Sequence, residues 1–259
     1  MTPAILALIM FLSGIFWAPL SRAYPEEVAR IPNTFSYYKP VYFIAGKPDT
    51  KIELSIKMQA ITNVPLYLGY TQLMMWDLRK PSDPMRDINY APEMFYRMNL
   101  DVADSKKSVE WLDFGILEHE SNGRDSWESR SWNRSYLRYF KQFSVGQVKL
   151  GASIRGWIPY GFDETSEQLP QYYGVYEAVF SISHFLGGYM SFSDLTFRVH
   201  GGGASYLNPT KGGQEITLRL KFNGQHFLPS IVAQYFQGYG ENLLDADRRL
   251  TAWRVGIGF

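Results

Sequence analysis

The chain has no cysteine, only four histidines, and a net charge of +1 over 259 residues. Without cysteine there is no disulfide framework, no thiol nucleophile and no Cys/His zinc cluster. A balanced charge without a basic block leaves no electrostatic footprint for nucleic acid. Long apolar runs are equally scarce. One, Ala4 to Leu20, opens the chain, and after Ala23 none is long enough to cross a bilayer as a helix. That first run is followed by Ser21-Arg22-Ala23, with small residues at the two cleavage positions, and reads as a signal peptide over residues 1–23. No Lys or Arg precedes it, so a membrane anchor is the alternative. If the mature protein enters a membrane, it must do so as a closed barrel.

What the chain has in plenty is aromatic residues, 16% of the total, and alternation. Lys51, Glu53, Ser55 and Lys57 alternate with Ile52, Leu54, Ile56 and Met58. The same period of two recurs in Glu215, Thr217, Arg219 and Lys221 against Ile216, Leu218, Leu220 and Phe222, and again around Val148 to Arg155. Alternation alone suits a soluble sandwich as well as a barrel. The final segment, with Trp253, Val255, Ile257 and Phe259 on one face, ends on an aromatic as bacterial outer-membrane barrels do.

Strand-like segments number about twelve: 39–45, 50–61, 66–77, 91–101, 107–120, 132–143, 146–158, 171–183, 188–200, 213–223, 227–239 and 249–259. Many have the length a tilted strand needs to cross a bilayer. The predicted fold is therefore all-β, a transmembrane antiparallel up-and-down β-barrel of about twelve strands over residues 39–259, preceded by a periplasmic segment, 24–38. Short links at Asn63-Val64 and Ser144-Val145 fall at the periplasmic end, and longer loops at 78–90, 121–131, 159–170, 201–212 and 240–248 at the other. Trp76, Trp111, Trp132 and Trp157 lie near strand ends, where a headgroup-layer position is expected.

Between Glu118 and Asn133 the chain reads Glu-His-Glu-Ser-Asn-Gly-Arg-Asp-Ser-Trp-Glu-Ser-Arg-Ser-Trp-Asn. On a strand, His119 and Ser121 leave the same face with Cα atoms roughly 6.5 Å apart. A hairpin that sets residue 133 opposite residue 119 brings Asn133 to about 5 Å from the histidine. A hydroxyl nucleophile, an imidazole base and an amide accepting from the second imidazole nitrogen could then meet. A polar hairpin loop is the plain alternative.

The run Gly-Ile-Leu-Glu-His-Glu-Ser-Asn-Gly-Arg, followed by Ser-Arg-Ser-Trp-Asn-Arg, resembles the signature of the outer membrane phospholipase A family. Tyr70-Thr71-Gln72, Trp76, the stretch Ser82 to Pro92 and Gly238-Tyr239-Gly240-Glu241 extend the likeness, with residues 24–38 and 159–170 matching least. The resemblance implies a calcium-dependent outer-membrane phospholipase that hydrolyses acyl esters of glycerophospholipids, of A1, A2 and lysophospholipase type. Ser121 would be its nucleophile, His119 its base and acid, and Asn133 the orienting group. The backbone N–H groups around Ser121 and Asn122 are candidates for the oxyanion. The resemblance further implies calcium (Ca2+) held by the Arg124 carbonyl, the Ser129 side chain and the Ser82 carbonyl of a second copy. The active form would be a homodimer with Gln72 as its polar contact. Asp125, Ser126 and Glu128 depart from the family order, which leaves a second calcium site without support. The rival reading is a non-enzymatic barrel, a channel or structural protein, whose inward charges of both signs either line or fill the lumen.

Overall fold

The computed structural model describes residues 35–100, 108–188, 190–223 and 229–259. The expected leader, and most of the segment that follows it, lie outside the described residues. The elements are β1 (Ser36–Tyr37), β2 (Tyr42–Lys47), β3 (Thr50–Ile61), β4 (Val64–Trp76), β5 (Met85–Asn99), β6 (Ser108–Ser121), β7 (Ser131–Val145), β8 (Val148–Tyr160), α1 (Leu169–Tyr173), β9 (Tyr176–Ser183), β10 (Met190–His200), β11 (Gly213–Phe222), β12 (Ser230–Gly238) and β13 (Leu250–Gly258). From β2 to β13 each strand pairs antiparallel with the next, and β13 returns to β2, so twelve strands close a barrel. The two residues of β1 bridge to β3. Closure leaves no long unpaired edge. Among the described residues no helix is long and apolar enough to cross a membrane.

The alternation sorts as the sequence predicts. Ile56, Leu68, Leu137, Ile154, Ile216, Ile231, Val255 and Ile257 are exposed on the outer wall, while Lys51, Thr217, Arg219 and Arg254 are buried inside. The inward charges pair. Lys51 Nζ lies 2.9 Å from Glu215 and 3.5 Å from Glu241, and Arg254 bridges Glu241 at 2.5 Å and Asp49 at 2.6 Å. Asp113 accepts from Arg97 at 2.7 and 2.9 Å and from Arg138 at 2.6 Å. Such charges tolerate burial only because each is paired and hydrogen-bonded.

Two boundaries differ most from expectation. β5 starts at Met85 rather than 91, because Asp87 and Asn89 point inward and accept the backbone N–H groups of Leu244 and Leu243, both at 3.0 Å. β9 starts at Tyr176 rather than 171, because Leu169–Tyr173 forms a short helix with Pro170 in its first turn and Gly174, at φ 66°, at its end. The short links also shift by one residue or two: Asn63 and Gly146, both near φ 64°, make the turns, and Val64 and Val145 belong to strands.

The link 239–249 folds into the mouth of the barrel instead of standing clear of it. Its residues Glu241 to Ala246 are buried, and Arg86 holds Asp245 by two N–H···O bonds of 2.9 and 2.5 Å. Beneath this plug His200 is buried against the Tyr173 ring, 5.9 Å between centroids. A filled lumen disfavours conduction, so the protein in planar bilayers is expected to show no stable open-pore current. A steady ohmic conductance would reveal an aqueous path past 239–249 and return the channel reading.

Candidate active site

His119, Ser121 and Asn133 come to one face through a fault in the ladder. Along β6, Asp113 is fully buried in the lumen, so strict alternation would aim residues 119 and 121 inward as well. Instead the register with β7 slips: Gly115 faces Tyr136, but Glu118 faces Arg134. One extra residue sits in β6, Ile116 and Leu117 are both exposed, and the faces exchange beyond them. Glu118 then points inward, and His119 and Ser121 point out. Gly115 permits the kink, since a side chain there would run into the Tyr136 ring.

In the resulting register His119 lies opposite Asn133, and Ser121 lies between Tyr90 of β5 and Ser131 of β7. His119 Nδ1 is 2.9 Å from Asn133 Oδ1. The Ser121 hydroxyl makes no hydrogen bond among the described residues. Leu117, Leu137, Ile154 and Ile158 are exposed apolar side chains on the same three strands, β6, β7 and β8. Behind it, on the lumen side, Glu118 pairs with Arg134 at 2.8 Å and with Arg155, while Glu120 accepts from Arg134 at 2.6 Å and from Trp132 Nε1 at 3.1 Å. Trp132 and Trp157 are buried in this floor under arginine guanidiniums, and Trp111 stacks on Phe140 below the Arg97 guanidinium. The headgroup-layer expectation is therefore wrong for Trp132 and Trp157, where cation–π contact and burial inside offset the interfacial preference, while Trp111 is half-buried.

The loop 122–130 is organised by Asn122, which the sequence did not mark for this role. Its Nδ2 donates to the Glu128 carbonyl at 2.9 Å, and its Oδ1 accepts from the N–H groups of Arg130 and Arg124 at 3.0 and 3.3 Å. Its own N–H is spent on the Arg130 carbonyl at 3.0 Å, so it is not free for an oxyanion. The next N–H, that of Gly123 at φ 63°, makes no hydrogen bond among the described residues. The Arg124 side chain is pinned between Glu128 and the Arg86 carbonyl, the latter at 2.6 Å, which steadies the backbone at 124. Glu128 is thus paired rather than freely solvated.

Nothing in the sequence marks Asp163 either. It reaches from the link 161–175, and Ser129 Oγ donates to its Oδ2 at 2.7 Å. Ser166 and Thr165 donate to its other oxygen, the latter at 3.0 Å, and Thr165 also bonds the Ser129 carbonyl. Burial pushes the Asp163 carboxyl up, but the hydrogen bonds from Ser166, Ser129 and Thr165 outweigh it and hold the group below the usual carboxylate value. A hydroxyl beside an ionised carboxylate, with the Arg124 carbonyl of the same loop accepting no hydrogen bond, supplies hard oxygens of the kind that suits calcium. Among the described residues no cluster of three or more acidic, histidine or cysteine ligands occurs, so hydroxyl, carbonyl and water oxygens would have to complete any coordination.

Gln72 and Ser82 stand apart from the trio. Gln72 lies opposite Tyr90, itself opposite Ser121, so two strand spacings, roughly 10 Å, separate Gln72 from the serine. Its Oε1 accepts from the Tyr70 hydroxyl at 2.9 Å. Ser82, at φ 69°, is exposed at the tip of the link 77–84, where Trp76 Nε1 fixes the turn by donating to the Asp83 carbonyl at 2.8 Å.

An apolar outer wall, a charged and plugged interior, and a histidine–amide pair beside an unengaged serine on that wall define a membrane barrel with its candidate site turned toward lipid. The phospholipase A1 family model matches residues 28–259. Phospholipase A1 of Salmonella typhimurium is 29% identical over 221 residues, covering 83% of this chain and 70% of the relative, and that of Escherichia coli K12 is 28% identical over the same span. Among solved structures, outer membrane phospholipase A from Escherichia coli superposes with a TM-score of 0.69 over 92% of this chain and 94% of its own, at 22% identity. The Salmonella typhi outer membrane phospholipase dimer with bound calcium gives 0.69 at 24% identity, over 87% and 92%. The chain belongs to the phospholipase A1 family. It is a bacterial outer-membrane β-barrel protein.

Proposed function

We propose that this protein is a calcium-dependent phospholipase that hydrolyses the acyl esters of glycerophospholipids, of A1, A2 and lysophospholipase type, through a seryl-acyl intermediate. The observation that carries the reading is the 2.9 Å contact of His119 Nδ1 with Asn133 Oδ1 on the lipid-facing wall, with Ser121 two residues along the same face. Asn133 accepts from Nδ1–H, which keeps Nε2 free to take the Ser121 proton as Oγ attacks the ester carbonyl. The N–H of Gly123 is the candidate donor to the developing oxyanion. On collapse His119 returns the proton to the departing lysolipid oxygen, and water then repeats the sequence on the acyl-enzyme. A neutral amide steadies the transient imidazolium less than a carboxylate would.

The ligands proposed for calcium are the Arg124 carbonyl, the Ser129 side chain and the carbonyl of Ser82 of the partner subunit, with Asp163 as a further oxygen. When bound, the ion supplies positive charge and polarised water near the oxyanion. Gln72 is proposed as the polar contact of the homodimer, since a lipid-facing amide is costly unless covered. The relative with bound calcium is itself described as a dimer, which supports both assignments.

The test is fatty-acid release from mixed phospholipid–detergent micelles, with calcium or with chelator. Release should fall by about 10²-fold or more on chelation, the scale of losing one oxyanion-stabilising element. Undiminished release in chelator would remove calcium from the mechanism. No release from a folded barrel under either condition would remove the enzyme and favour a structural barrel.

A further inference from the structure

A side-chain amide can meet an imidazole N–H in two ways, and only one works. With Oδ1 toward Nδ1–H there is a hydrogen bond. Turned by half a rotation, the NH2 group faces the N–H and two donors oppose each other. Asn133 therefore needs something on its other side to set its orientation, and the histidine cannot do this alone.

That partner is a backbone carbonyl on a third element. Asn133 of β7 lies opposite Tyr160, the last residue of β8, and its Nδ2 donates to the carbonyl of Gly161, the next residue, at 3.4 Å. With Nδ2 engaged there, Oδ1 is the atom left for His119. Gly161 sits at φ 63°, in the left-handed region, and a Cβ added there would overlap Asn133 Nδ2. The nearest atom to give way would be the amide itself rather than backbone. The link carrying Gly161 is fastened on its far side as well, since Ser166 Oγ accepts from the Ser131 N–H at 2.8 Å and Asp163 holds Ser129. The carbonyl is thus held in place from both directions.

We propose that Gly161 is a positioning residue for ester hydrolysis: its carbonyl selects the working orientation of the Asn133 amide, and its missing side chain leaves that amide room against His119. This rests on the Ser121–His119–Asn133 reading. A row of three elements then sets the base, His119 on β6, Asn133 on β7 and Gly161 beyond β8. Substitution at Gly161 acts on the chemical step through Asn133 and leaves lipid binding alone.

The experiment compares wild type, Gly161→Ala, Asn133→Ala and the double variant in calcium-supplemented micelles, with folding checked by heat-modifiable gel mobility. Gly161→Ala should lower kcat by about 10- to 100-fold, the scale of an active-site group displaced by an ångström, with KM within about twofold. The double variant should match Asn133→Ala, because without the amide there is nothing left to position. Gly161→Asn separates this effect from backbone strain, since asparagine tolerates the left-handed conformation but still carries a Cβ, and it should be as impaired as Gly161→Ala. It also serves if the alanine variant does not fold. Full activity in either variant, or an equal further loss on adding Gly161→Ala to Asn133→Ala, would overturn the proposal. Wild-type activity in Asn133→Ala would instead overturn the triad reading on which it stands.

Discussion

Ser121→Ala is expected to abolish fatty-acid release, with kcat falling by about 10⁴-fold or more, the scale seen when a serine nucleophile is removed from a histidine-assisted site. The substitution is small and clean. Ser121 faces outward at the end of β6, and its hydroxyl makes no hydrogen bond among the described residues, so the ladder to Tyr90 and Ser131 loses nothing. Stability should move by no more than about 0.5 kcal/mol, as for a surface change without a structural partner. Unfolding midpoint and gel mobility should therefore match wild type while release disappears. Release that survives the substitution would move the nucleophile elsewhere and leave His119 and Asn133 as a structural pair.

The largest effect on stability is expected one residue from the base and on the opposite face. Glu118 is 1% exposed and is the counter-charge for both Arg134, at 2.8 Å, and Arg155. Glu118→Leu leaves the Arg155 guanidinium beside Tyr136 and Trp157 without its carboxylate, and leaves Arg134, over Trp132, with Glu120 alone. Removing one partner from a buried ionic group typically costs about 3–5 kcal/mol, because the remaining charge stays desolvated. Urea unfolding followed by tryptophan fluorescence should show a loss of that order. Adding Arg155→Leu should recover part of it, since the charge left without a partner is then removed while Arg134 keeps Glu120. A loss below about 1 kcal/mol would mean that water reaches these groups and that the floor behind the site is not sealed. Because Glu118 and His119 are consecutive on one strand, some catalytic loss is expected as well.

Much of this was legible in the sequence because period-two alternation is a local property. The faces around Lys51 and Glu215, the strand count and the crossing lengths each follow from a dozen consecutive residues. So does the set of candidate side chains, since His119, Ser121 and Asn133 lie on two strands joined by a single loop. The plug hid behind the same locality. Residues 239–249 have ordinary loop composition, and their burial appears only once Arg86, Asp87 and Asn89, far away in sequence, face them across the mouth.

By itself the sequence determined a twelve-stranded barrel with charge inside, apolar surface outside, and a histidine, a serine and an asparagine within reach of one another. The tertiary structure decided which way they point and what holds them. The extra residue near Ile116 and Leu117 is invisible until β6 is laid against β7, because a bulge is a mismatch between two strands and not a property of either. Asp163 and Gly161 reach the site only because the antiparallel pairing of β7 with β8 sets the end of β8 beside the start of β7, converting a separation of about thirty residues into hydrogen-bond distance.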